Sequence, residues 1–342
     1  MVRAMSLTFA FLPAVDILSI AAICIVLLAG GIMVVRGDMT IGIIVAFMTY
    51  VNRFFVPVRE LSQVYATLQS ASAGGERVLE MLDSSPMVRD RPNAIDLEEV
   101  GGKLEFRRVS FSYKKGTEVL HGIDLRIEPG ETVAIVGPTG GGKTTIINLI
   151  CRFYEPTEGD ILIDDIPVRE ITSGSLHKHM GYVSQDPILF TGTLAENIAY
   201  GRDHPSIEQV VDAAKHAEID EFISSLSGGY ETKVLEGGVN LSTGQRQLVS
   251  IARAILVDPR IIIMDEATSS VDTVTEGLIQ RALTYLLRDR TAIVIAHRLT
   301  TIHGADRIHV MDDGRFVEWG THEELISKGG LYRGLYEKQF IE

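Results

Sequence analysis

The chain has 342 residues, 46% hydrophobic and 23% charged, and its 45 Asp+Glu against 32 Lys+Arg give a formal charge of −13. That length fits two domains better than one, and the composition excludes a disordered chain, a collagen and a disulfide-stapled secreted module. The acidic balance argues against a nucleic-acid partner, because a protein that displaces counterions from phosphates carries a basic face.

Charge is distributed unevenly. Residues 1–60 contain Arg3, Arg36, Arg53 and Arg59 against Asp16, Asp38 and Glu60, so the excess of acid lies in the rest of the chain. Residues 17–35 carry no charge over nineteen positions. At about 1.5 Å per residue they span roughly 28 Å, close to a bilayer's hydrocarbon thickness, and they are expected to form a transmembrane helix. Arg36-Gly37-Asp38-Met39-Thr40 breaks the run, and a second apolar stretch, 41–58, is interrupted by Asn52, Arg53 and Pro57. Because these interruptions come late, the second helix is expected to leave the membrane there. It would continue as an amphipathic extension through Leu61, Val64, Tyr65 and Leu68. A buried helix of a soluble protein is one alternative, and a cleaved signal peptide is another, since Arg3 precedes the apolar core. Export would carry the second domain, whose motifs are described below, out of the cell and away from the reactant that those motifs imply. Both chain ends are therefore expected on the cytoplasmic side of the cell membrane, with 36–40 outside. Cys24 and Cys151 match no metal or redox spacing and read as buried, reduced thiols.

Residues 84–102, rich in Asp, Glu, Pro and Gly and punctuated by Pro86 and Pro92, read as a linker between a partial membrane domain (1–83) and a second domain (103–342). From Leu104 onward, β-type runs alternate with helical patterns, as expected for an α/β domain of about 240 residues.

The chemistry concentrates in that domain. Residues 132–136 read as a buried strand and run into Gly137-Pro138-Thr139-Gly140-Gly141-Gly142-Lys143-Thr144, followed by a helical start at Thr145-Ile146-Ile147. This matches G-x-x-x-x-G-K-[ST]: glycines let backbone N–H groups wrap phosphates, Lys143 neutralises charge on the β/γ-phosphates, and the Thr144 hydroxyl ligates Mg²⁺. A second apolar strand, Ile261-Ile262-Ile263-Met264, ends in Asp265-Glu266. Such a strand delivers two carboxylates to the sheet's C-terminal edge, where open α/β sheets bind ligands. There Asp265 would support the Mg²⁺ shell and Glu266 would polarise the attacking water.

With Leu241-Ser242-Thr243-Gly244-Gln245 shortly before Asp265, the domain resembles an ABC transporter ATPase along its whole length. The resemblance implies an α/β fold of the ABC type of P-loop NTPase, a RecA-like core with antiparallel β and α-helical subdomains, preceded here by a transmembrane helical hairpin. It also implies further roles. Tyr113 in Phe111-Ser112-Tyr113 resembles the aromatic residue that stacks on adenine. Gln185 in Tyr182-Val183-Ser184-Gln185-Asp186 resembles the glutamine that senses Mg²⁺ and links to the membrane part. His297, followed by Arg298-Leu299-Thr300-Thr301, resembles the histidine that bonds the γ-phosphate, and Ser269-Ser270-Val271-Asp272 resembles the loop through which paired domains communicate. The catalytic set expected is Glu266, His297, Lys143 and Gln185. ATP would be held by Tyr113, by residues Gly137 to Thr145, and by Gln185; the metal would be held by Thr144, Gln185 and Asp265.

In this family ATP is sandwiched head to tail between two domains, so Ser242, Gly244 and Gln245 would face the nucleotide of a partner subunit. The front of the chain resembles the last two membrane helices of an exporter, carried by Gly37-Asp38-Met39-Thr40-Ile41-Gly42 and by Glu76-Arg77-Val78-Leu79-Glu80 within 71–83. Exporter subunits carry six such helices, and Glu236 resembles a contact to cytoplasmic loops that lie before Met1, so the chain is expected to be a fragment of a longer subunit. Its partners would be a second exporter subunit, the lipid membrane and a transported small molecule, lipid or peptide. Thr243 stands where the usual pattern has Gly, which resembles heterodimeric exporters with one weakened ATP site; a tolerated variant in a homodimer is the alternative. A soluble ABC-type ATPase acting on nucleic acid and a non-catalytic nucleotide-dependent regulator are the rival functions.

Overall fold

Two helices, α1 (Val2–Arg36) and α2 (Ile41–Leu82), build the first of two units in this computed structural model, which describes residues 2–114, 116–265, 272–296 and 302–340. The units divide between Pro86 and Met87. Gly37, at φ +84°, ends α1: its N–H donates to the Val34 carbonyl at 3.0 Å, and that of Asp38 donates to the Met33 carbonyl at 2.9 Å. A glycine in the left-handed region stops a helix and satisfies its last carbonyls without a Cβ clash. The helices pack closely, since a Cβ on Gly30 would lie 2.8 Å from the Ile44 side chain. Pro13–Arg36 and Ile41–Leu82 are both long and apolar enough to cross a membrane. Their large apolar residues, Ile17, Leu18, Ile25, Leu28, Phe47 and Phe54 among them, are exposed. A core helix of a soluble protein would bury these side chains. The extension expected beyond residue 58 is part of the same unbroken helix. The expectation of two buried thiols holds for Cys151 only: Cys24 is exposed on α1, among the apolar side chains of that helix.

The second unit begins with a meander. β1 (Leu104–Phe111) pairs antiparallel with β2 (Leu120–Ile127) and, on its other side, with β4 (Glu158–Ile163), which carries the short β5 (Ile166–Pro167). Between β2 and β4 the chain leaves to make β3 (Thr132–Val136) and helix α3 (Lys143–Ile150). After α4 (Ser173–Lys178) come β6 (Met180–Val183), β7 (Gly192–Thr193) and the helices α5 (Leu194–Ala199), α6 (Ile207–His216) and α7 (Asp220–Ser225). β8 (Lys233–Val234) pairs back to β7 and precedes α8 (Thr243–Val257), β9 (Ile261–Asp265), α9 (Thr273–Leu287) and β10 (Thr291–Ile295). A hairpin of β11 (Arg307–Asp312) and β12 (Arg315–Gly320) follows, then the helices His322–Lys328 and Leu331–Phe340.

The larger sheet has the order β12-β11-β3-β10-β9-β6, parallel throughout except for β12 at the edge. Its central strands are apolar on both faces, the pattern of a parallel sheet covered on both sides. Val133 and Ile135 of β3, Ile261 and Ile263 of β9, and Ile293 and Ile295 of β10 pack with α3 and the antiparallel sheet. The alternate residues Ala134, Ile262, Met264, Ala292 and Val294 pack with α6, α8 and α9. α8 buries Leu248, Val249, Ile251, Ala252, Ile255 and Leu256, one face at helical spacing. It ends where Asp258 turns left-handed ahead of Pro259.

Residues 87–102 are tied to the second unit. Arg152, almost fully buried, pairs with Asp90 at 3.0 Å and donates to the Arg89 and Ile171 carbonyls. Asp90 also accepts from the Ser173 hydroxyl at 2.7 Å. The backbone N–H groups of Gly101, Gly102 and Lys103 all donate to the Asp164 carboxylate.

Candidate nucleotide site

β3 delivers the chain to Gly137 at the C-terminal edge of the larger sheet. A Cβ there would fall 2.1 Å from the Met311 carbonyl oxygen of the neighbouring β11, so only glycine lets the two strands close on each other. Gly142, at φ +101°, caps α3 in the left-handed region, where a side chain would also meet Leu120 at 2.9 Å. Between them the loop is braced: the Gly141 N–H donates to the Pro138 carbonyl at 3.2 Å, and the Gly314 N–H, from the β11–β12 turn, donates to the Gly141 carbonyl at 3.1 Å. Lys143 is buried, and its ammonium donates to the Gly137 and Pro138 carbonyls at 2.8 Å each. Burial pulls this ammonium below the usual lysine pKa, and the Asp265 carboxylate opposes that fall.

Thr139, Gly140, Gly142, Lys143, Thr144 and Thr145 line a cavity of about 410 Å³ together with Gln185 and Asp265. Asp265 ends β9, and Gln185 follows β6, the strand paired to it. The cavity therefore joins a helix N-terminus, whose peptide dipoles favour an anion, to the oxygens of Thr144, Gln185 and Asp265. That donor set suits a hard, oxygen-seeking divalent cation such as Mg²⁺, and the cradle suits a polyphosphate.

The other expected site residues lie elsewhere. The Tyr113 hydroxyl donates to the Thr145 hydroxyl at 3.2 Å and accepts from Asn148 at 3.0 Å, and its ring packs edge-on against Phe111 and Tyr154. It sits beside the cradle without lining the cavity, 42% exposed. Ser242, Gly244 and Gln245 are also outside it. Ser242 caps α8, accepting from the Gln245 N–H at 3.2 Å while the Gln245 side chain accepts from the Ser242 N–H at 2.9 Å. Gly244 is buried on α8. Glu266, Ser269, Ser270, Val271 and His297 lie outside the described residues. Val119, Ile295, the Met311 carbonyl and the β11–β12 turn complete the cradle without having been expected. No local motif marks them, because they reach the loop only through sheet order and hairpin geometry.

Residues 120–269 match the family model described as ABC transporter. A fatty acid ABC transporter ATP-binding/permease protein of Mycobacterium bovis is 48% identical over 90% of this chain and 48% of its own length. An ATP-dependent lipid A-core flippase of Desulfotalea psychrophila is 45% identical over 96% of this chain and 57% of its own. Among solved structures, a bacterial Atm1-family ABC exporter with ATP bound superposes at a TM-score of 0.74 and 39% identity, covering 99% of this chain and 59% of that one. The chain thus spans about half the length of the curated relatives it matches. Phosphate cradle, sheet order and relatives agree: this chain carries an ABC transporter ATP-binding domain.

Proposed function

We propose that the protein is the energy-coupling part of an ABC exporter in the cell membrane, hydrolysing MgATP in its second unit and contributing two membrane-crossing helices from its first. The observation that carries this reading is the placing of phosphate-binding loop, Lys143, Thr144, Gln185 and Asp265 around one cavity, in a chain that also bears two long helices with exposed apolar surfaces. The hairpin supports a multi-pass arrangement: Asp16 and Arg59, which flank the apolar stretches 17–35 and 41–58 on the side away from the turn, pair at 2.8 Å between the two helices. Pairing of that kind sets the charges together at a membrane boundary rather than across the hydrocarbon.

In this reading the cradle binds the β- and γ-phosphates, with Lys143 exchanging its two loop carbonyls for phosphate oxygens. Mg²⁺, held by Thr144, Gln185 and Asp265, neutralises phosphate charge when bound. Tyr113 packs against the adenine, Glu266 orients the attacking water, and His297 contacts the γ-phosphate. Ser242 lies outside the cavity of its own chain, which supports a role toward the nucleotide of a second subunit, where the N-terminus of α8 presents its positive dipole end. ATP then closes the pair and hydrolysis releases it. Both curated relatives described above have lipidic cargo in their names, and an amphipathic lipid is the cargo class we propose.

Glu266→Gln tests the assignment. Turnover should fall at least a hundredfold while ATP binding persists and an ATP-bound dimer accumulates on gel filtration. Near-normal phosphate release would remove Glu266 from its role.

A further inference from the structure

A second cavity, of about 490 Å³ and sharing no lining residue with the phosphate cradle, opens where the edge strands β2 and β12 of the two sheets approach. His309 on β11 lines it, is only 6% exposed, and has no hydrogen-bond partner at either ring nitrogen. Two residues away on the same face, Arg307 spends its terminal nitrogen on Glu131 and on the Arg126 carbonyl, at 2.7 Å each, and its buried Nε also lacks a partner. Among the described residues seven buried side-chain nitrogens and oxygens lack a partner, and three of them belong to two residues that line this one cavity, which marks a place that receives a polar group.

The carboxylates nearby are already engaged. Glu105 is held by Arg107 at 2.7 Å, and Asp124 accepts from the Arg108 N–H at 2.9 Å. Burial, with the Arg307 charge beside it, pushes His309 down to about 4, so at neutral pH the ring is uncharged and offers one N–H donor.

The apolar wall comes from a bulge. Along the β11–β12 ladder Val310 faces Glu318 but Met311 faces Phe316, leaving Val317 as the extra residue on β12. An extra residue reverses the alternation of faces, so Phe316 and Trp319, three positions apart, both line the cavity with His309. Trp319 lies directly across the ladder from His309 and is 58% exposed; the Phe316 ring centroid is 4.8 Å from that of His309. Trp319 is also the only tryptophan in the chain.

We propose that this cavity is a second binding site, distinct from the nucleotide site, for a small aromatic carboxylate whose ring packs on Trp319 and Phe316 and whose carboxylate accepts from Arg307 Nε and a His309 ring N–H. Its volume lies in the range of small-molecule pockets.

Trp319 is a built-in reporter. Benzoate, titrated into the full chain in lipid nanodiscs, should change the tryptophan emission saturably with a Kd below about 1 mM. Benzamide, the uncharged isostere, should bind at least tenfold more weakly. His309→Phe should weaken benzoate at least tenfold, and Trp319→Ala, read by calorimetry, should do the same. Nucleotide binding at the separate cradle confirms that each variant is folded. A titration that does not saturate by about 10 mM, equal affinity for benzamide, or unaltered benzoate binding in both variants would overturn the assignment.

Discussion

Thr243 shows how a single position is read differently in sequence and in space. As a β-branched residue at a glycine position of the signature it suggests a loosened composite site. In the structure it takes ordinary helical backbone as the first residue of α8, and its hydroxyl accepts from Arg246 at 3.1 Å. The substitution therefore brings no backbone strain. Thr243→Gly should change ATP turnover by less than about threefold and destabilise the domain by about 0.5–1 kcal/mol, the cost of a flexible residue in a helix; a large gain in turnover would instead mark Thr243 as a brake. His309 makes a residue-scale prediction in pH. Its folded pKa, about 4, lies below the ordinary 6.5, so between these values the unfolded chain binds more protons and stability rises with pH. The contribution is complete above about pH 6.5 and is lost as pH falls toward 4, an effect of about 3 kcal/mol. In His309→Phe, the urea midpoint followed by Trp319 emission should depend less steeply on pH across this window than in the parent chain. Parallel curves would show that folding leaves the imidazole pKa unshifted.

Residues 87–102 carry the lesson at the scale of elements. Their composition reads as a connector, with Pro92, four acids and two glycines, and nothing local says what they touch. In the structure they are held by side chains far along the chain: Arg152 at the end of α3, Ser173 and Ser175 at the start of α4, and Asp164 in the β4–β5 turn. Arg152 is the hub, a buried guanidinium whose acidic partners Asp90 and Glu155 are about 40% exposed. Arg152→Met should cost about 1–2 kcal/mol, because those partners return to water while the two carbonyls lose a charged donor. The same variant should be cut by trypsin at Arg89 or Arg91 faster than the parent chain; unchanged cleavage would show that the segment is held without Arg152. The signature helix is a contrast, since its capping box, Ser242 with Gln245, and its apolar spacing are both local and both legible beforehand.

For the whole molecule, the exposed apolar helices of the first unit predict behaviour in a membrane. The full chain should stay in the pellet after alkaline washing, whereas residues 87–342 expressed alone should be released, because the apolar hairpin is the feature that binds lipid; release of the full chain would refute the exporter reading. Much of the molecule was legible beforehand for a physical reason. Chain-local chemistry writes itself into neighbouring residues: nineteen uncharged positions make a helix apolar enough to cross a membrane, Gly37 stops a helix, and a glycine-rich loop before Lys143-Thr144, flanked by a strand and a helix, carries the pattern of a phosphate cradle. What folding alone decided are meetings between distant residues. The Met311 carbonyl that demands glycine at 137, the approach of Gln185 and Asp265 at the ends of paired strands, and the bulge at Val317 that sets Trp319 and Phe316 on one face with His309 all depend on strand order and register. These are set by how both faces of a sheet are buried at once, an energy summed over the whole core and stored in no single segment.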